Sequence, residues 1–189
     1  MNKTQMISLG LLGALLLGGC AQRELVFTQD ALCQSPIANI HLQSVYKKEG
    51  HSTTSEIEFK KDLETVIKNT GCIRLVNSPK DDAFTLNATY EVNVQNQAEK
   101  TTFKTKTNNI LHAKVILNLS NQEIIRRDYG ESKIAIEENK VLGIGENEQI
   151  SQEDEEKALK SSILAALKSF IAAMQAKQNT QDPSQESLQ

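Results

Sequence analysis

Every second residue from Phe84 to Val94 is apolar: Phe84, Leu86, Ala88, Tyr90, Val92 and Val94. A period of two puts all six side chains on one face of an extended strand, and that face needs something to bury against. Leu111, Ala113, Val115, Leu117 and Leu119 repeat the pattern. After a turn at residues 120–123, the chain from Ile124 to Ile136 returns as a further strand, and antiparallel meander pairing fits these segments. Residues 95–109, QNQAEKTTFKTKTNN, show no such alternation and read as a polar loop or flexible hairpin tip.

The cover for the buried face comes from both sides in sequence. Ile37 to Val45 alternates around Ile40 and Leu42 and reads as a strand. Ser55, with Glu58 three residues on, forms a capping box; Phe59, Leu63, Val66 and Ile67 follow at helical spacing. A helix is therefore expected over residues 56–70, closed by Gly71. Residues 72–76, CIRLV, read as a short strand. Strand, helix and strand in this order predict a right-handed crossover between parallel neighbours.

Residues 137–150 read as a charged connector. Ser151, with Asp154 at the third position, caps a last helix whose stripe is Leu159, Ile163, Leu167, Phe170 and Met174, with Ala166 and Ile171 beside it. Lys157, Lys160 and Lys168 lie off the stripe. The expectation is an α+β domain: one mixed sheet of about four or five strands with two helices packed on one face.

The N-terminus has a different logic. Lys3 precedes an apolar run from Met6 to Leu17, about a dozen residues and too short to span a bilayer, which takes roughly 20. This is the pattern of a secretory signal. Leu17-Gly18-Gly19-Cys20 resembles a bacterial lipobox. The resemblance implies cleavage before Cys20, diacylglycerol on its thiol as a thioether, and an acyl group on the new amine. More than one chain makes such an anchor stable, at about 0.8 kcal/mol per buried CH₂. Ala21 stands where an aspartate would resemble an inner-membrane retention signal, so the resemblance favours the outer membrane, with the domain in the periplasm. The expected boundaries are a signal peptide at 1–19, the lipidated cysteine and tether at 20–36, the domain at 37–177 and a disordered tail at 178–189. Leu25, Val26 and Phe27 suggest that part of the tether docks on the domain.

Two other cysteines remain, Cys33 and Cys72. An oxidising compartment makes them a disulfide candidate, and the expected crossover brings both to one edge of the sheet. The loop so closed, about 39 residues, would contribute roughly 4 kcal/mol at most by chain entropy. The alternative is two free buried thiols. His41, His51 and His112 have no metal-ligand spacing, and no metal or other cofactor is expected beyond the lipid on Cys20.

No nucleophile elbow, Walker sequence or HExxH appears. Five residues separate Gly143 and Gly145 from the Ser151 cap, counted from Gly145, too many for a phosphate cradle. Glu137-Glu138 and the acidic run 153–156 read as solvated faces near a helix N-terminus. His112 falls on the strand face opposite Leu111 and Val115 and reads as solvent-side. The net charge is −3 with scattered cations, which argues against nucleic acid, and the chain has no Trp. No catalytic residue is assigned, and an enzyme is not expected.

The segments "FKKDLETVIKNTGCIRLVNSPKDDAFTLNATYEV", "HAKVILNLSNQEIIRRDYGES" and "EKALKSSILAALKSFIAAM" follow one another between residues 56 and 174. This order resembles the superfamily that holds the curli-secretion lipoprotein domain and the lipoprotein activators of penicillin-binding proteins. Auxiliary lipoproteins of lipid-transport ABC systems, and the lipopolysaccharide-assembly lipoprotein that plugs an outer-membrane barrel, are also similar. The lipobox, the missing active site and the patterned single domain together lead to the expectation of a non-enzymatic accessory that binds an envelope protein in assembly, activation or transport. Rival readings are binding of a lipid or peptidoglycan fragment, and a structural subunit of an envelope complex. The cysteine pair departs from the pattern, and the curli-type pore-forming insertion is missing.

Overall fold

The computed structural model describes residues 31–79, 82–100, 104–141 and 150–181. The signal peptide, Cys20, Leu25 to Phe27, Gly143 and Gly145, and residues 182–189 lie outside the described residues. Seven elements follow in order: β1 (Ala38–Lys47), α1 (Glu56–Thr70), β2 (Ile73–Leu75), β3 (Phe84–Lys100), β4 (Lys104–Ser120), β5 (Ile125–Val141) and α2 (Gln152–Gln181). They form one five-stranded sheet in the order β2-β1-β3-β4-β5. β1 runs parallel to both β2 and β3, while β3, β4 and β5 are antiparallel. The sheet is thus mixed, and both helices pack on its buried face, as the alternation required.

Both helix starts follow their caps. The Ser55 hydroxyl accepts from the Glu58 amide at 3.3 Å, and the Glu58 carboxylate accepts from the Ser55 amide at 2.8 Å. Ser151 and Asp154 repeat the exchange at 3.1 and 3.0 Å. α1 ends at Gly71, whose φ of 68° is left-handed and suits glycine. A side chain there would also meet the Cys33 carbonyl at 2.8 Å.

The core lies between the helices and the sheet. Phe84, Leu86, Ala88, Tyr90 and Val92 of β3 and Leu111 to Leu119 of β4 all bury their alternate residues there. Each helix lays an aromatic ring on β3. Phe59 of α1 stacks on Tyr90 at 4.2 Å, and Phe170 of α2 meets Phe84 edge-on at 5.3 Å. α2 crosses β5 so closely that a Cβ on Gly130 would sit 1.8 Å from the Ser162 carbonyl oxygen.

Four expectations need correction. Residues 95–109 are strand except for 101–103, which lie outside the described residues: β3 and β4 pair in register out to Lys100 and Thr105. β5 continues to Val141, well into the expected connector. α2 continues to Gln181, into the expected tail. β2 has only three residues. The first two share a cause. Backbone pairing with a neighbouring strand holds a polar segment extended once the apolar part has set the register, and no core-facing pattern is needed.

Candidate functional surface

The described part of the tether is fastened at one end of the sheet. Cys33 and Cys72 form a disulfide. The amides of Leu32 and Cys33 both donate to the Thr70 carbonyl, at 2.8 and 3.3 Å, and the Ile37 amide donates to Cys72 at 2.7 Å. The incoming chain is therefore held against the C-terminus of α1 before it becomes β1. The start of β3 is at this end too, since Phe84 pairs with Ile40. So is the C-terminal part of α2: the Gln175 amide lies 3.7 Å from the Cys33 sulfur, and Lys177 pairs with Glu123 at 3.1 Å.

The opposite end is built around Glu155. The loop after β1 continues along β3, with the Lys48 amide donating to Tyr90 and the His51 amide to Val92. It then turns into a buried carboxylate. Glu155 accepts from the Ser52 hydroxyl at 2.5 Å, the Thr53 amide at 3.0 Å, the Thr53 hydroxyl at 2.8 Å and the Thr54 amide at 3.0 Å. Burial opposes its ionisation, but the hydrogen bonds from Ser52, Thr53 and Thr54 outweigh burial and bring its pKa down to about 2. The Tyr90 hydroxyl donates to the Thr54 carbonyl at 2.8 Å, and burial pushes its pKa up to about 12. The solvated-face reading of residues 153–156 therefore fails at Glu155, which is 4% exposed. A carboxylate held this firmly ionised joins α2 to the loop and is a poor proton donor. The side chains of Glu137 and Glu138 lie outside the described residues.

Beyond this end, β3, β4 and β5 continue as a three-stranded arm past Val92, Leu111 and Ile134. Its residues on the core side, Asn96 and Asn109 among them, are no longer buried. β5 closes one side of the sheet and pairs, among the described residues, with β4 alone.

The face turned away from the helices is ordered in rows. Lys48, Glu91, Lys114 and Glu131 lie side by side across four strands' width. Lys48 pairs with Glu91 at 2.9 Å and Lys114 with Glu131 at 3.3 Å. The Lys48 hydrogen bond holds the Glu91 carboxyl below its ordinary range, and Lys114 does the same for Glu131. The next row reads Tyr46, Thr89, Ile116 and Tyr129. Tyr46 is 62% exposed and Tyr129 50%. A register shift between Leu42 and Ser44 produces this row, because the extra residue turns Val45 inward and Tyr46 outward. The alternation around Ile40 and Leu42 gave no sign of it.

His112 lies on this open face, as its position predicted, with Nε2 3.6 Å from Glu131. His41 Nδ1 lies 3.2 Å from the Val76 carbonyl. Among the described residues no group of three His, Cys, Asp or Glu side chains could hold a metal, and no helix is long and apolar enough to cross a membrane. Sequence reasoning also missed Asp128, buried on β5, which takes Arg126 on both oxygens at 2.6 and 2.7 Å and the Ser169 hydroxyl at 2.7 Å. This cluster fastens α2 to β5. A hollow of about 360 Å³ opens beside the tether end, lined by Pro36, Asn39, Arg74, Asp82 and Phe84 among others. It lies outside the space between sheet and helices, where Phe59, Leu63, Leu167 and Phe170 are fully buried.

No protein-family model matches the chain, and no curated protein matches it. Solved structures do. A neuraminyllactose-binding hemagglutinin homolog from Helicobacter pylori is 15% identical, over 81% of this chain and 94% of that one, with a TM-score of 0.49. PelC from Paraburkholderia phytofirmans, solved as a dodecamer, is 8% identical, over 72% and 89%, with a TM-score of 0.35. The rare lipoprotein B of Shewanella oneidensis is 7% identical, over 74% and 99%, with a TM-score of 0.33. Likeness at this level carries no conclusion about activity.

Proposed function

We propose that this chain is a lipid-anchored accessory of the cell envelope, without chemistry of its own, that holds its domain at the periplasmic face of the outer membrane to bind a partner protein. The observation that carries this reading is the polarity of the fold. The tether is fastened at one end of the sheet by the Cys33–Cys72 bond, and the three-stranded arm leaves from the other. β3 has 17 residues, so its far end stands on the order of 55 Å from its start, at ~3.3 Å per residue. A lipid on Cys20 would then put the arm well away from the bilayer. Anchoring confines the search to the membrane and raises the effective concentration of arm and partner. Among the described residues β5 pairs with β4 alone, which leaves its other edge to an added strand.

Lipid binding within the domain needs an apolar hollow under the helices, and packed side chains fill that space. The test is site-specific photocrosslinking in whole cells, with the probe at Ala135 near the arm or at Ile57, exposed on α1. The expected result is an envelope-protein adduct at position 135 that disappears with Cys20→Ala. Identical adducts at both positions, or none at 135, would overturn the reading.

A further inference from the structure

The open face of the sheet suggests its own occupant. Across the strands one row runs positive, negative, positive, negative: Lys48, Glu91, Lys114, Glu131. Such a row is complementary to itself when reversed. The neighbouring row, Tyr46, Thr89, Ile116, Tyr129, ends in an exposed tyrosine on both sides and keeps its ring positions on reversal. A twofold axis parallel to the strands performs that reversal. An axis along the row would instead set lysine on lysine.

We propose that this face docks on the same face of a second copy of the chain, about a twofold axis running along the strands between β3 and β4. Glu91 then meets Lys114 of the second copy, and Lys48 meets Glu131 of the second copy, each twice by symmetry. Tyr46 lies against Tyr129 of the second copy, and Thr89 against Ile116. Each carboxylate keeps the lysine beside it in its own chain and gains another across the interface. The sheets cross at the shallow angle their twist sets, near 30°.

Four strands ~4.8 Å apart, over about five residue pairs, cover on the order of 300 Å² per copy, less than the ~800 Å² of a standard stable interface. The association is therefore weak in dilute solution. Two copies confined to one membrane meet at a far higher effective concentration. This goes beyond the accessory role; the axis sets the two arms side by side and leaves the β5 edge free for another protein.

The experiment uses the full chain in two differently tagged forms, co-expressed, crosslinked with formaldehyde in isolated membranes and then captured from detergent through one tag. The wild-type forms should co-purify, with a yield falling at least threefold between 50 mM and 500 mM salt, over which the screening length shortens roughly threefold. Glu91→Lys paired with itself, and Lys114→Glu paired with itself, should each lose at least tenfold. Glu91→Lys paired with Lys114→Glu should recover, because both contacts are again between opposite charges. The urea midpoint of each variant reports its folding separately. Wild-type capture that ignores salt, or a mixed pair of folded variants that does not recover, would overturn the proposal. Failure here would leave the adduct at Ala135 untouched.

Discussion

The sulfur of Cys33 is bonded to the sulfur of Cys72 across 39 residues of chain, and the bond ties the tether to the start of β2. The enclosed loop contains β1 and α1. Cross-linking it restricts the unfolded chain, by roughly 4 kcal/mol on chain entropy. Changing both cysteines to serine should lower stability by about 2–4 kcal/mol, read as a shift of the urea midpoint. Reductant should shift the wild type the same way and leave the double variant unmoved.

Glu155 makes stability depend on acid. Its pKa is about 2 in the folded chain, against an ordinary 4.5. The depressed value means that its contribution is fully present above pH ~4.5 and is lost as pH falls towards 2. The shift corresponds to about 3 kcal/mol. Glu155→Gln should be destabilised at pH 7 by about that amount, and its own stability should fall less between pH 5 and pH 2.5 than that of the wild type. Denaturant titrations at three pH values would show this.

Gly130 is needed for the contact between β5 and α2. An added methyl would meet the Ser162 carbonyl, which is helix backbone and has no free rotation. Gly130→Ala should cost about 3 kcal/mol and lower the thermal midpoint accordingly. Ile57→Ala, on a residue 83% exposed, should change stability by less than about 0.5 kcal/mol.

The parts of this fold that are readable in sequence are those where apolar side chains repeat at one period. Phe84 to Val92, Leu111 to Leu119 and the α2 stripe all point into the core as their spacing demands. The two cap pairs, Ser55–Glu58 and Ser151–Asp154, gave both helix starts. The arm escaped because its two faces are both polar there, which erases the contrast that marks a strand. The run KTKT at 104–107, alternating a charge with a β-branched residue, was the available signal. Glu155 escaped for another reason. Its partners Ser52, Thr53 and Thr54 are about a hundred residues away, and no local pattern marks a carboxylate as their acceptor. The shift after Leu42 is likewise a property of the pairing between β1 and β3.

The anchored-accessory account depends most directly on the state of Cys20 in the native host. Trypsin cuts after Arg23, so the residues from Cys20 to Arg23 form one short terminal peptide of the mature chain. Mass spectrometry of membrane-extracted protein should find that peptide beginning at Cys20 and carrying diacylglycerol together with an amide-linked acyl chain. A peptide that continues upstream through Gly19, with a free thiol, would contradict the account.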